Sequence, residues 1–310
     1  MRVETAAYAV RDPLAVVTTG AFDGVHLGHQ AILRYLVARA AEIGGTPTMV
    51  TFEPHPREVL TGERVPLLTT IAERAAYAGA LGVERMVVVP FTRDLSMLEP
   101  EDYVDELLIG TIGLREAVIG FDHHFGRKRR GTRQLLQEIG GARGFTVDVI
   151  PEQVVRGTSV SSSAIRGLLM DAGDAVGAAS LLGRQYALAG RVVPGDGRGK
   201  SIGYPTANVE PLDPRKIIPA TGVYAVRVDL PEGRSAGGMM NVGRRPTFQT
   251  DGALTVEVHL FDIDEDLYGQ SLTLHLVDRL RDERRFAGVE ELVAQLGRDR
   301  VAAERVVGDG

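Results

Sequence analysis

An α/β half followed by an all-β half is the fold class this sequence predicts, and three observations predict it. Short apolar runs alternate with helical patterns through the first 182 residues. After Gly183 the pattern changes to period-two alternation broken by Gly- and Pro-rich turns, as in Thr255-Val-Glu-Val-His-Leu260 and Ser271-Leu-Thr-Leu-His-Leu276. The chain has 310 residues, 44% hydrophobic and 25% charged, which is enough for two cores of ordinary globular composition.

In the first half, strands are expected at Ala15 to Thr18, Thr48 to Phe52, Met86 to Val89, Ala117 to Ile119 and Thr146 to Ile150. Helical spacing fills the gaps near 29 to 41, 70 to 81, 101 to 109 and 132 to 139. Strands alternating with helices predict a Rossmann-like parallel sheet covered on both faces. Six or so short strands after Gly183 predict a small antiparallel barrel, because closure removes exposed edges. A helical pattern at Val289 to Gln295 closes the fold, and Val307 to Gly310 is expected to be disordered. The expected domains are residues 1–183 and 184–310.

Composition removes several function classes. The absence of cysteine excludes disulfides, thiolate zinc sites and a cysteine nucleophile. No signal pattern or apolar run of membrane-spanning length occurs, so a cytoplasmic protein without a membrane partner is expected. A net charge of −6 argues against a broad nucleic-acid surface. The run Arg127-Lys-Arg-Arg130 with Arg133 lacks interleaved stacking aromatics, which leaves a solvated loop or a local attraction for a phosphorylated substrate. Nothing in the sequence indicates an oligomer.

Ligands of parallel sheets bind at the carboxyl ends of the strands, and four of the five expected strands lead there into unusual polar or glycine-rich clusters. The first is Gly20-Ala-Phe-Asp-Gly-Val-His-Leu-Gly-His29, where a strand gives way to a helix. A helix start offers unpaired N–H groups and a partial positive charge, and Gly20, Gly24 and Gly28 let the backbone approach an anion. His26 and His29 then either hydrogen-bond a triphosphate or only cap the helix. The other clusters are Glu53-Pro-His-Pro56, Gly120-Phe-Asp-His-His-Phe-Gly126 and the turn into Ser161-Ser162-Ser163, where serines at a helix N-cap precede Arg166 by about one turn.

The HxGH segment matches the signature of the nucleotidyltransferase superfamily. Together with Thr51-Phe-Glu-Pro-His-Pro56, Gly120–Gly126 and Val160-Ser-Ser-Ser-Ala-Ile-Arg166 in the same order, it resembles the adenylyltransferase half of bacterial bifunctional riboflavin kinase/FAD synthetases. The second half completes the resemblance. Gly190-Arg-Val-Val-Pro-Gly-Asp-Gly-Arg-Gly-Lys-Ser-Ile-Gly-Tyr-Pro-Thr-Ala-Asn208 is similar to the flavokinase glycine-rich loop and PTAN motif. Asn241–Phe248, Val256–Asp262, Leu267-Tyr-Gly269 and Leu280–Phe286 follow in the family's order. One departure is His123-His124, where many members carry an aromatic or basic residue.

The resemblance implies a nucleotidyltransferase domain and a flavokinase barrel that act on small molecules: riboflavin, FMN and ATP, with FAD as the final product. For adenylyl transfer it implies that His26 and His29 stabilise the ATP phosphates. Gly20, Phe22, Asp23, Gly24, Gly28 and Asp122 would surround the nucleotide, and Ser161, Ser162, Ser163 and Arg166 would hold the leaving pyrophosphate. Phe52, His55 and Phe125 would line the flavin. For phosphorylation it implies phosphate contacts from Gly195, Gly197, Gly199 and Gly203, Mg2+ ligation by Thr206 and Asn208, and Glu257 as the catalytic carboxylate. Asn241, Arg281 and Phe286 are further flavin candidates, while His259 is read as a packing or surface residue. From spacing alone Glu257 is a solvent-facing carboxylate on an ordinary strand. A chain with one active half, a flavin carrier without turnover and an aminoacyl-tRNA synthetase are the competing readings. The last lacks its second signature loop here.

Overall fold

The computed structural model of the protein describes residues 1–195, 198–244 and 254–308. Gly197, the Arg245 to Phe248 part of one motif, and the last two residues therefore lie outside the described residues. The chain divides into two compact units, Met1–Ser162 and Ser163–Gly310.

The first unit is built on six parallel strands: β1 (Arg2–Thr5), β2 (Ala15–Thr19), β3 (Thr46–Glu53), β4 (Arg85–Pro90), β5 (Leu114–Gly120) and β6 (Thr146–Ile150). Their spatial order is β1-β4-β3-β2-β5-β6. A two-stranded ribbon of β7 (Val154–Val155) and β8 (Thr158–Ser159) follows β6. The apolar runs found in the sequence lie within β2 to β6, and their side chains alternate between two cores. Val16, Met49, Met86 and Val118 meet Leu33, Leu36 and Ala40 of the helix Leu27–Ile43 on one face. Ala15, Val17, Val50, Val87 and Ile119 meet Val104, Leu108, Leu136 and Ile139 on the other. Those last residues come from the π-type helix Tyr103–Ile112 and the helix Arg133–Arg143. Both faces are covered, as parallel sheets require.

The strand order places the site. Chain progression reverses across β2, so the carboxyl ends of β2 and its neighbour β5 form a topological switch point, where open α/β sheets bind ligands. The Gly20–His29 segment leaves β2 there, and the Gly120–Gly126 segment leaves β5.

The second unit is a closed antiparallel barrel in the order β10-β13-β12-β11-β14-β9. Its strands are β9 (Tyr186–Val193), β10 (Ala207–Pro211), β11 (Gly222–Asp229), β12 (Ser235–Arg244), β13 (Leu254–Leu260) and β14 (Ser271–Arg281). The helix Ala175–Leu182 packs on β9 and β14, which explains why this compact unit begins before the change of sequence pattern at Gly183. The closing helix is much longer than its apolar pattern indicated, running Val289–Gly308, so Val307 and Gly308 are helical rather than disordered. Asp299 on that helix is 3% exposed and receives the guanidinium of Arg281, Nη2 to Oδ2 2.7 Å and Nε to Oδ2 2.9 Å.

Candidate active sites

After β2 the backbone turns sharply. Gly24 has φ +92°, and the buried, non-glycine Phe22 and Val25 have φ +48° and +39°. Left-handed backbone is costly for a β-branched residue and persists only where surrounding contacts fix it. Those contacts are present. The Asp23 carboxylate accepts from Leu68 N (3.1 Å), Thr69 N (2.8 Å) and Thr69 Oγ1 (3.1 Å), and it lies 3.5 Å from Nη2 of the fully buried Arg74. Gly24 N donates to Thr69 Oγ1 at 2.8 Å, and Ser162 Oγ donates to the Asp23 carbonyl at 2.7 Å. The charges of Asp23 and Arg74 thus face each other inside the protein, and Asp23 holds the turn from within.

The turn delivers two stacked imidazoles. His26 is the N-cap of the helix Leu27–Ile43, and its Nδ1 accepts from His29 N at 3.3 Å. As an acceptor Nδ1 carries no proton, so the ring proton of His26 sits on Nε2. The His26 and His29 rings stack with centroids 3.6 Å apart and 15° between planes, and Phe22 leans on His29 at 5.0 Å. Of the two roles left open by the sequence, the capping one is present: His26 Nδ1 caps the helix.

Beside this segment an aromatic column runs from β5. His123 stacks on Phe125 (5.7 Å), Phe125 tilts against Tyr103 (5.6 Å), and the Tyr103 hydroxyl hydrogen-bonds Thr19 Oγ1 at 2.9 Å. Burial pushes the Tyr103 hydroxyl up to about 12, against the opposing effect of Thr19. Tyr103 was not singled out from the sequence, where it is one apolar position of a helical pattern. Phe52 at the end of β3 is buried and meets Phe91 edge-on at 5.5 Å. His55 caps the helix Pro56–Thr61, its Nδ1 accepting from Arg57 N at 3.2 Å. Asp122 is exposed. In the basic loop, Arg127 and Arg130 both pair with Glu99, at 3.1 and 3.0 Å, so two of its cations already have a carboxylate.

Burial, with the neighbouring charges of His124 and Arg129, pushes His123 down to about 4. Unfolded histidine titrates near 6.5, so between about pH 4 and 6.5 the unfolded chain binds more protons and stability rises with pH. The contribution is fully present above the unfolded value and is lost as pH falls through the folded one. Urea unfolding of wild type and His123→Phe should therefore diverge on acidification, with the variant losing less stability over this window. Parallel curves would show that His123 titrates normally.

Arg166 follows Ser162 and Ser163 on the helix Ser162–Gly167, one turn inside its start, where it belongs to the second unit.

On the barrel, register makes the site. Glu257 stands opposite Asn208 of β10 on one side and Asn241 of β12 on the other. Directly opposed residues in antiparallel strands project to the same face, so the carboxylate is flanked by two carboxamides in one row. Val256 and Val258 point into the buried interior, which puts Glu257 on the outer face. The glycine-rich segment lies against this row. A Cβ on Gly195 would fall 1.8 Å from the Asn208 side-chain nitrogen, and one on Gly199 would fall 2.1 Å from the Tyr204 carbonyl and 3.3 Å from Thr206 Oγ1. Only glycine permits so close an approach. Gly203 completes the turn with φ +81°.

Arg281 lies elsewhere in its chemistry. Its guanidinium clamps Asp299 of the closing helix, and the Phe286 ring sits 5.7 Å from Arg281 and 4.7 Å from Arg284.

Among the described residues there is no group of three or more His, Asp or Glu arranged to hold a metal. No helix among them is long and apolar enough to cross a membrane.

A parallel-sheet unit with histidines at a helix start and an antiparallel barrel with an Asn-Glu-Asn row define a two-unit nucleotide-dependent transferase. Residues 10–164 match the FAD synthetase family and residues 182–307 match the riboflavin kinase family. Similar over nearly the whole length are the bifunctional riboflavin kinase/FMN adenylyltransferases of Pseudomonas fluorescens and Bacillus subtilis. The first is 42% identical, covering 94% of this chain and 92% of its own. The second is 37% identical with the same coverage. A Streptococcus pneumoniae crystal structure described as a macrolide-efflux protein shares the fold, with TM-score 0.87, 30% identity and 96% of both chains covered. The chain belongs to the bifunctional riboflavin kinase/FMN adenylyltransferase family.

Proposed function

We propose that the protein carries out both reactions of its family in sequence, residues 184–310 phosphorylating riboflavin and residues 1–183 adenylylating the FMN produced. The observation that supports this reading is that one chain carries two polar clusters of different construction, each suited to phosphate chemistry. One is a pair of stacked histidines at the sheet's switch point, and the other a carboxylate between two carboxamides on a barrel.

In the first reaction the 5′-hydroxyl of riboflavin attacks the γ-phosphorus of ATP and ADP leaves. Glu257 takes or orients the hydroxyl proton, Asn241 orients the flavin beside it, and backbone N–H groups of the glycine-rich segment meet the phosphates. Thr206 and Asn208 offer neutral oxygens next to that segment, a donor set that suits Mg2+ held mainly by phosphates and water. When bound, Mg2+ would neutralise charge on the phosphates.

In the second reaction an FMN phosphate oxygen attacks the α-phosphorus of another ATP, and the bond to pyrophosphate breaks. The nucleophile is already ionised near neutral pH, so charge stabilisation and positioning carry the step. The imidazoles of His26 and His29 meet the ATP phosphates, and Ser162, whose Oγ is bonded to the Asp23 carbonyl of the same turn, meets the departing pyrophosphate. Phe52 and Phe125 offer apolar walls to the isoalloxazine ring. The substrates are small molecules, and we place the reactions in the cytoplasm.

Incubating the intact chain with riboflavin, MgCl2 and ATP should yield FMN with ADP first, then FAD with pyrophosphate, resolved in time by chromatography. A folded preparation that makes neither product ends the proposal. FAD from added FMN, without FMN from riboflavin, would leave only the nucleotidyltransferase half active.

A further inference from the structure

We propose that His259 is a positioning residue for riboflavin phosphorylation, holding the Pro205–Asn208 segment in register against the strand that carries Glu257; this rests on the kinase reading above. The β10–β13 ladder is short, pairing only Asn208 with Glu257 and Ala207 with Val258. Two residues before Ala207 stands Pro205, which has no N–H to offer a ladder. The Pro205 carbonyl is instead met by a side chain: His259 Nδ1 lies 2.8 Å from it. A carbonyl only accepts, so Nδ1 carries the proton and His259 is the donor.

Three further observations single out this histidine. It is 7% exposed, and its Nε2 is enclosed with no hydrogen-bond partner among the described residues. An enclosed, unpaired nitrogen is a cost that an apolar residue at this position would avoid, so packing alone does not account for a histidine here. Its ring is also held edge-on by Tyr204 at 5.2 Å and Phe261 at 6.0 Å, which fixes the direction of the Nδ1–H. Tyr204 N in turn donates to the Gly199 carbonyl at 2.9 Å, so the contact reaches the glycine-rich segment. His259 stands two residues from Glu257 on the same strand face, and a single side chain therefore couples the phosphate cradle and the Thr206 and Asn208 oxygens to the carboxylate.

His259→Phe keeps the ring and removes the donor, whereas His259→Asn places an amide N–H near the position of Nδ1. In the intact chain, His259→Phe should raise KM for Mg·ATP in riboflavin phosphorylation by about 10-fold, with KM for riboflavin and FAD formation from FMN within about twofold of wild type. His259→Asn should recover most of the loss. Unchanged kinetics in His259→Phe, or equal impairment of both variants, would overturn the inference. 15N spectra of the wild-type imidazole give a readout that needs no turnover: the Nδ1–H tautomer is expected, and an Nε2–H tautomer refutes the contact. A wild-type chain that does not phosphorylate riboflavin would sink the functional reading, whereas a normal kinase with an insensitive His259 sinks only this one.

Discussion

Glu257→Gln is expected to lower the rate of riboflavin phosphorylation by about 10²–10⁴-fold while leaving FAD formation from added FMN within about twofold of wild type. The substitution is nearly isosteric, and no ion pair or hydrogen bond is assigned to Glu257 among the described residues. It therefore leaves no buried charge uncompensated, and the fold should tolerate it. What it removes is the proton acceptor for the attacking hydroxyl, while Asn208 and Asn241 still flank the position. Assaying both half-reactions on one preparation checks the claim. Equal loss of both activities would mean that the reactions are not divided between the two parts of the chain, and retention of both would return Glu257 to an ordinary strand position.

His29→Ala should produce the complementary result, a fall of about 10²–10³-fold in FAD formation with riboflavin phosphorylation preserved, the loss typical for one donor to a developing charge. His29 is the cleaner target of the pair. Its backbone N–H makes the capping bond to His26 Nδ1, and alanine retains that N–H while favouring the helix. His26→Ala, by contrast, deletes the cap itself and would cost about 1 kcal/mol of stability. Measuring kcat with FMN and ATP saturating, alongside the melting temperature, separates a lost phosphate contact from a loosened helix start. Normal FAD formation in His29→Ala would remove the histidine from the site.

Parts of this architecture escaped the sequence for identifiable reasons. β1 carries no apolar run, and its Glu4 reaches the fully buried Arg85 at 3.2 Å, so the strand is tied in by a charge pair that periodicity does not register. The closing helix continues to Gly308 because its later turns pack Ala303 and Val307 against Met239 of β12 and Phe261 just after β13, while exposed charges break the local pattern. Asp23 lies inside the HxGH segment, where motif position places it beside the nucleotide. Its carboxylate is bound by amides 45 and 46 residues away, a contact invisible to local spacing. Arg281 is a flavin candidate from motif order, and its guanidinium is held by Asp299 on a helix that the local pattern does not connect to it. A lone strand histidine such as His259 reads as a packing or surface residue, and only the fold brings it to Pro205.

The sequence by itself determined the two-part class of the fold, the family and the residue types of both candidate sites. Hydrophobic periodicity, glycine placement and motif order are local properties of the chain. The tertiary structure alone decided which side chains share a face and which are used internally to hold a turn or a helix, because that depends on strand register and on partners distant in sequence. It gave His26 a capping nitrogen, turned Asp23 toward Arg74, and set Glu257 between Asn208 and Asn241.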